Sequence, residues 1–164
     1  MALEKYHAKR KFSETSEPSG KISKQPAANS KQPAFVVQKH QAQNLHFDFR
    51  LEHDGVLASW AIPKGPPEKI GEKRLAVQVE DHPVEYAKFE GEIPEGQYGA
   101  GTVEIWDSGT YKLLKWDEKV VEFVLSGKKM TGRYSLIKTT GYSKNAWILI
   151  KQKPKSLFKT SLQE

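Results

Sequence analysis

Short stretches in which hydrophobic and polar residues alternate follow one another along the chain from residue 34 onward, and turn residues separate them. Side chains of a β-strand point alternately to the two faces of a sheet, so this pattern is typical of strands buried on one face. No stretch keeps the period of an amphipathic helix. The pattern predicts strands at residues 35–37, 45–51, 56–62, 74–80, 101–106, 110–114, 120–125, 132–137 and 146–151.

Many short strands with regular turn signals favour an antiparallel barrel or sandwich. Asp54-Gly55, between two of the strands, predicts a tight hairpin turn. A barrel is preferred, because the charged faces of strands 45–51 and 74–80 would then share one wet interior. The predicted fold class is therefore all-β: a compact antiparallel β-barrel with a polar active-site interior and an irregular N-terminal arm.

The composition of the two ends differs from that of the predicted barrel. Residues 1–33 are polar and basic, and residues 21–33 have no apolar period, which is typical of a linker or a surface arm. The last residues are again basic. We therefore predict one domain overall, with an N-terminal arm and linker at residues 1–33, a β-barrel at residues 34–152 and a C-terminal tail at residues 153–164.

Charge and cysteine content restrict the class of protein. The 164 residues include 26 Lys and Arg against 20 Asp and Glu, a net charge of +6, which favours a polyanionic partner such as nucleic acid. A protein whose lysines only keep it in solution fits the same charge. The absence of cysteine excludes disulfides, zinc fingers, thiolate nucleophiles and iron–sulfur clusters. No apolar run is long enough for a membrane span or a signal peptide, so a cytoplasmic location is expected.

The stretch HQAQNLHFDFR, residues 40–50, concentrates candidate chemistry on one strand. Alternation places His46, Asp48 and Arg50 on one face, and His40 lies upstream, within reach of the same place after a short bend. The opposite face is hydrophobic and comprises Leu45, Phe47, Phe49 and Leu51. Two imidazoles and a carboxylate suit zinc, manganese or iron and leave coordination positions open. Histidines that only form hydrogen bonds at a surface are the alternative.

A second polar cluster follows on strand 74–80. Regular alternation places Arg74, Glu80 and the following His82 on one face, where a guanidinium suits phosphate oxygens and an imidazole can donate a proton. An ordinary solvent-facing strand is the alternative. Tyr86 and Tyr98 are candidates for a pocket, whereas the tryptophans are expected in the core or the barrel wall. The glycine-rich residues 91–101 lack a phosphate-loop ending and predict only tight turns.

Two long segments, HQAQNLHFDFRLEHDGVLASWAIPKGPP and RLAVQVEDHPVEYAKFEGEIPEGQYGAGTVEIWDSGTY, closely resemble the 3′-phosphoesterase domain of the bacterial DNA ligase D family. Stand-alone bacterial and archaeal versions of that domain are equally similar, and the resemblance runs from about Lys9 to Lys151. It implies a compact β-barrel and a manganese-dependent enzyme, with cobalt or zinc as other occupants. The implied activity removes a 3′-terminal ribonucleoside as a phosphodiesterase and then the resulting 3′-phosphate as a phosphomonoesterase.

The same resemblance implies roles for individual residues. His40, His46 and Asp48 would hold the metal, and Arg50 and His82 would contact the scissile phosphate. The remaining implied site residues are Tyr86 in the pocket, Lys64 and Arg74 in phosphate handling, Glu80 in support, and Arg10, Glu17 and Ser59 as substrate contacts.

The N-terminal motif of the family departs from its usual form in this chain. Arg10, Phe12, Thr15, Glu17 and Pro18 match it, but Lys11 stands where an aspartate is usual. The resemblance implies that residues 1–33 pack on or near the active site, and the substitution questions any contact made from that position.

The implied partners are DNA with 3′-ribonucleotide or 3′-phosphate ends and a separate ligase and polymerase of a non-homologous end-joining system. A monomeric, free-standing, cytoplasmic protein that associates with the nucleoid during repair is expected, with no membrane partner. Two other functions fit the residues. One is a non-haem iron oxygenase on a cupin-like barrel, with His46, Asp48 and His82 as ligands. The other is a nucleic-acid-binding barrel without catalysis.

Overall fold

A computed structural model describes residues 3–15, 17–18, 32–141 and 143–154. Its helices are α1, Glu4–Ala8, and a 3₁₀ helix at Val84–Lys88. Its strands are β1 Ala34–Gln41, β2 Leu45–His53, β3 Val56–Ile62, β4 Lys73–Pro83, β5 Gly91–Ile93, β6 Gly101–Trp116, β7 Val120–Ser126, β8 Thr131–Lys138 and β9 Ala146–Lys151. Within the described residues no helix is long and apolar enough to cross a membrane.

Eight of the strands close into an antiparallel barrel. Their order is β1-β2-β3-β4-β9-β8-β7-β6, and β6 pairs back onto β1. The short β5 adds to the first residues of β6, on the side away from β1. The predicted all-β barrel is thus confirmed, and so is the hairpin between β2 and β3, where Asp54 and Gly55 have φ of 53° and 84°.

The interior of the barrel is an apolar core to which all eight strands contribute. Phe49 lies near its centre, with its ring 5.7 Å from that of Phe123 and 6.3 Å from that of Trp60. Trp60 and Trp147 are buried there, and Trp106 and Trp116 pack against the core from its edge, as predicted for the tryptophans.

The polar face of β2 does not line this interior, and in that respect the predicted polar interior is wrong. Phe49 and Leu51 fill the core, so Asp48 and Arg50, at the intervening positions, face the outer side of the sheet. An eight-stranded barrel has room inside for little more than its own side chains. Charged groups placed there would lose their hydration and gain no hydrogen bonds or ion pairs to compensate for the loss.

A second apolar cluster covers the outer face at this point. It packs α1 and the 3₁₀ helix against the barrel wall, and its buried members are Tyr6, Leu57, Tyr86, Phe89, Ile93 and Val103. Asp48 and Arg50 are therefore buried although they lie outside the barrel. Asp48 and Arg50 thus belong to a covered patch on the outer wall of the barrel.

Strand β4 contains an extra residue that breaks its alternation. Ser59 pairs with Val79, but Leu57, two residues earlier, pairs with His82, three residues later. Glu80 and His82 consequently lie on the outer side, where both contact Arg10, whereas Arg74 has the parity of Ala76, which packs in the interior. The prediction that Arg74 shares the face of Glu80 and His82 is therefore wrong.

Two further differences concern β5 and β6. The predicted strands 101–106 and 110–114 form one strand, β6, which includes Asp107 and Gly109 between them. Asp107 is buried and accepts hydrogen bonds from the backbone of residues 128–130, and Gly109 allows the backbone of Ser126 to approach closely. Strand β5 lies in the glycine-rich segment, where only turns were predicted.

Candidate active site

A cavity of about 320 Å³ lies on the outer face of β1, β2 and β4, beneath the N-terminal segment. Ten polar or aromatic residues from six parts of the chain line it. They are Arg10, Glu17, His40, His46, Asp48, Arg50, Glu80, His82, Tyr86 and Tyr98.

One wall of the cavity carries the predicted ligand triad. Asp48 Oδ2 lies 3.4 Å from Nδ1 of His40 and 3.3 Å from Nε2 of His46. One donor atom from each residue falls within 4.8 Å of the others. The triad forms because His40 and His46 are directly paired across the β1–β2 hairpin, with Asp48 two residues further on.

The second nitrogen of each imidazole contacts a backbone carbonyl oxygen. His40 Nε2 lies 2.7 Å from the oxygen of Gly99, and His46 Nδ1 lies 3.2 Å from that of Asn44. Such contacts fix the ring orientation and leave the other nitrogen free to bind a metal. The donor set of two imidazoles and one carboxylate, with both rings oriented in this way, fits a divalent transition metal.

The pKa of Asp48 favours the ionised form that a ligand requires. Burial acts to raise this pKa, but hydrogen bonds with His40 and His46 and the charge of Arg50 outweigh it and lower the pKa. The pKa of His46 is raised, chiefly by its hydrogen bond with Asp48.

Arg50 connects the triad to the rest of the cavity. Its Nη2 lies 3.6 Å from Asp48 Oδ2, and its Nη1 lies 3.2 Å from Nδ1 of His82. Its Nε donates to Gln38 Oε1 at 2.7 Å. Gln38 is buried, and its amide nitrogen donates to the carbonyl oxygens of Tyr86 and Phe89 at 2.8 and 3.1 Å. Gln38 therefore fixes the guanidinium in position.

His82 lies between two guanidinium groups. On one side is Arg50, and on the other Arg10 Nη2 lies 3.3 Å from His82 Nε2. His82 Nδ1 is also 3.0 Å from the carbonyl oxygen of Glu80, so a neutral ring protonated on Nδ1 donates there and accepts from Arg10. Burial, followed by the charges of Arg50 and Arg10, holds the pKa of His82 well below its usual range.

Residues of the N-terminal segment complete the cavity. Arg10 Nε lies 3.1 Å from Glu17 Oε2, and Arg10 Nη1 lies 3.3 Å from Glu80 Oε2. The hydroxyl of Tyr86 donates to Glu17 at 2.5 Å. The ring of Tyr6 packs against the Arg10 guanidinium at 4.1 Å. Arg10 and Glu17 thus belong to the cavity that the resemblance implied for them, while Lys11 is exposed.

The remaining predicted site residues do not line this cavity. Ser59 is buried between Arg50 and Val79 in the sheet, and its hydroxyl donates to the carbonyl oxygen of Leu57 at 3.0 Å. Lys64 is exposed in the loop after β3. Arg74 forms an ion pair with Glu72 at 2.8 Å. Their suggested contacts with substrate remain predictions.

Sequence reasoning missed two buried side chains at the site. Gln38 carries a signal that was available, since it lies two residues before His40 on the same face of β1. Tyr6 carries none, because a single tyrosine in a five-residue helix has no pattern that indicates its partner. The carbonyl oxygens of Asn44 and Gly99 could not be assigned either, since any residue supplies one.

The fold and the cavity together define a β-barrel protein with a candidate metal centre and two buried arginines around one histidine. The sequence profile of the DNA ligase D 3′-phosphoesterase domain matches residues 38–138. The chain belongs to this family, which confirms the resemblance drawn from its motifs.

Curated relatives from three organisms show the same similarity. The Pseudomonas aeruginosa multifunctional non-homologous end joining protein LigD is 48% identical over 157 residues, which cover 92% of this chain and 18% of the relative. The protein of that name from Mycobacterium bovis is 46% identical over 160 residues, which cover 95% of this chain and 21% of the relative. The one from Mycolicibacterium smegmatis is 47% identical over 150 residues, which cover 85% of this chain and 19% of the relative. The chain therefore spans about a fifth of the length of these relatives.

Proposed function

We propose that the chain is a metal-dependent phosphoesterase that processes DNA 3′ ends for non-homologous end joining. It removes a 3′-terminal ribonucleoside as a phosphodiesterase and then the 3′-phosphate as a phosphomonoesterase. One observation carries the proposal: His82 lies 3.2 and 3.3 Å from the guanidiniums of Arg50 and Arg10, beside the triad of His40, His46 and Asp48. Family membership and the names of the relatives support action on DNA ends.

His40, His46 and Asp48 would hold the metal, for which we propose Mn²⁺, with Co²⁺ or Zn²⁺ as other occupants. A divalent cation bound there supplies a Lewis acid that neutralises phosphate charge. The protein contributes the orientation of the ligands, through the carbonyl oxygens of Gly99 and Asn44, and an ionised Asp48.

Arg10 and Arg50 bind the scissile phosphate. Both are largely buried, so a phosphate between them exchanges hydration for charge-assisted hydrogen bonds. Gln38 and Glu17 hold the two guanidiniums in place, and such preorganisation stabilises the charge of the transition state at little reorganisation cost. A bound phosphate also offsets the cationic charges that lower the pKa of His82. The imidazole can then take a proton and stabilise the transition state.

Each of the two reactions consumes one water. In the first, water oxygen adds to phosphorus, the bond from phosphorus to the 5′ oxygen of the terminal nucleoside breaks, and that oxygen takes a proton. The primer then ends in a 3′-phosphate. In the second, water adds to the same phosphorus, the bond to the 3′ oxygen breaks, and a 3′-hydroxyl and inorganic phosphate remain. A covalent histidine intermediate, with water in a second step, has the same balance.

The test is a time course with a 5′-labelled primer–template that ends in a ribonucleoside, in a panel of divalent metals. The expected result is conversion to a 3′-phosphate and then to a 3′-hydroxyl, with Mn²⁺ most effective and chelator stopping both steps. His82→Ala is expected to lose both steps while its near-UV spectrum is unchanged. Turnover that resists chelator, or full activity of that variant, would contradict the proposal.

The iron-oxygenase alternative is less well supported by the geometry. It requires His82 as a third ligand, but both ring nitrogens of His82 contact other groups, among them Arg10 and Arg50. In the described part of the chain, the cluster of possible ligands contains His40 in its place. Partner enzymes, the monomeric state and the cytoplasmic location stay predictions.

A further inference from the structure

A second groove, of about 640 Å³, adjoins the active-site cavity. It lies between α1, strand β4 and the residues before β9, and its lining shares Val79, Glu80 and Tyr98 with the cavity. A substrate that places its phosphate at His82 can therefore extend from the cavity into this groove.

Tyr98 lies at the junction of the two spaces. The residue is 47% exposed, although it also lines the active-site cavity. The Lys9 ammonium lies 4.7 Å from the ring centroid and 3.3 Å from the hydroxyl, and the Arg10 guanidinium lies 5.3 Å from the centroid. Arg10 in turn contacts His82, so Tyr98 is the first exposed aromatic ring beyond the proposed phosphate position. Exposed aromatic rings in such positions bind bases by stacking.

The charge of the groove indicates which part of a nucleic acid it suits. Its described lining has two ammonium groups, Lys5 and Lys9, against three carboxylates, Glu4, Glu80 and Asp81. The retained primer strand carries a phosphate at every nucleotide, and a lining with no excess of cations offers it no electrostatic attraction. The terminal nucleoside carries no phosphate beyond the scissile one. The groove is bounded by α1 and β4, and its volume of about 640 Å³ accommodates a single nucleoside.

Asp81 adds a hydrogen-bond acceptor to the groove. It is half-buried on β4 and has no hydrogen bond or short ion pair among the described residues. Sugar hydroxyls are donors that a carboxylate accepts, as in the recognition of a ribose by an acidic side chain.

We infer that this groove is the subsite for the departing 3′-terminal nucleoside, with Tyr98 as the platform for its base and Asp81 as an acceptor for its sugar hydroxyl. This inference depends on the proposed phosphodiesterase activity. It assigns the two residues to the first reaction alone, because the second substrate ends in a phosphate and places nothing in the groove.

The test compares kcat/KM for two primer–templates of one sequence, one ending in a ribonucleoside and one in a 3′-phosphate, with Mn²⁺. Tyr98→Ala is expected to lower kcat/KM roughly tenfold on the first, since stacking on one aromatic ring is worth about that factor or more. On the 3′-phosphate primer a clearly smaller loss is expected, because that substrate places no base on the ring. Tyr98→Phe, which keeps the ring, is expected to match the wild type on both substrates.

Two further experiments test whether the loss comes from the base and from the groove. A primer whose terminal residue is an abasic ribose offers no base, so on it Tyr98→Ala is expected to lose no more activity than on the 3′-phosphate primer. Asp81→Asn changes a lining residue on β4 and leaves the 94–100 loop unaltered. The same selective loss is expected, and this variant also tests the inference if Tyr98→Ala does not fold.

Each contrary outcome would overturn a different part of the inference. Equal losses on both primers in Tyr98→Ala and Asp81→Asn would place the retained strand in the groove. Unchanged cleavage of the ribonucleoside primer by both variants would remove the subsite. In both cases wild-type activity leaves the proposed function standing. A wild type inactive on both primers would overturn the proposed function and the subsite together.

Discussion

Arg10 and His82 contact each other at 3.3 Å, although 72 positions of sequence separate them, and this contact brings the N-terminal segment into the candidate active site. Arg10 is fixed by Glu17 and Glu80 and stacks on Tyr6, so its position is determined by these three side chains. The pKa of Glu80 is lowered, because its hydrogen bonds, including those with Lys9 and Arg10, outweigh the effect of burial. An ionised carboxylate therefore anchors the guanidinium near His82.

Replacing Arg10 tests whether the N-terminal segment takes part in the reaction. Arg10→Ala is expected to lower kcat/KM for a 3′-phosphate primer by about 10- to 100-fold, because one charge-assisted hydrogen bond to phosphate is worth about 1.5–3 kcal/mol. Arg10→Lys is expected to restore little, since an ammonium cannot reproduce the planar fork. Lys11→Ala is the matched control, because Lys11 is adjacent and exposed, and it should stay within twofold. Equal effects at the two positions would show only a general charge effect.

Removing one triad imidazole tests the metal centre independently of turnover. His46→Ala is expected to abolish tight Mn²⁺ binding, measured by titration calorimetry, and to lower activity by more than about 100-fold. In the wild type, Mn²⁺ at about 100 times its dissociation constant should stabilise the fold by about 2.7 kcal/mol, which a thermal shift detects. That shift should vanish in His46→Ala and persist in His53→Ala, because His53 stacks on Trp116 at 3.7 Å and is outside the triad. Undiminished Mn²⁺ binding by His46→Ala would refute the assigned ligands.

The lowered pKa of His82 predicts how its contribution to stability varies with pH. In the unfolded chain a histidine has a pKa of about 6.5, whereas burial and the two arginines lower it in the fold. As pH falls below about 6.5, the unfolded state takes up a proton at His82 that the folded state does not, so the free energy of unfolding decreases. His82→Asn should therefore lose less stability than the wild type between pH 7 and pH 5 in urea denaturation.

His46 provides a comparison of opposite sign. Its pKa is raised, chiefly by Asp48, so its contribution is present at low pH and is lost as pH rises through the folded pKa. His46→Ala should accordingly lose more stability than the wild type between pH 7 and pH 5. Parallel pH profiles for the wild type and both variants would contradict the two assignments.

Gln38 is expected to act through Arg50. Gln38→Leu leaves Arg50 Nε without its acceptor and the carbonyl oxygens of Tyr86 and Phe89 without a donor, so we expect a loss of about 1–3 kcal/mol in stability and about tenfold in kcat/KM. In an Arg50→Ala background the same change should add little to the loss of activity, because the two residues form one unit. Gln41→Ala, at the exposed end of β1, is the control. Additive losses in the double variant would show that Gln38 does not position Arg50.

Local alternation predicted the central part of the site well. In an unbroken strand the face of each side chain depends only on its position, so His46, Asp48 and Arg50 were grouped correctly from the sequence. The same rule failed for Arg74, because the extra residue in β4 shifts the parity between Val79 and His82 and leaves no clear signal in the sequence.

The sequence by itself determined the barrel strands, the opposed apolar and polar faces of β2 and the three residues of the triad, because these follow from side-chain spacing along one or two adjacent strands. Only the tertiary structure decided that the polar face lies outside the barrel, that Arg10, Glu17 and Tyr6 close over it, and that Gln38 holds Arg50. Those relationships depend on barrel closure and on contacts between distant segments. Burial of the apolar face inside the barrel decides the first of them, since only that face can fill an interior without water.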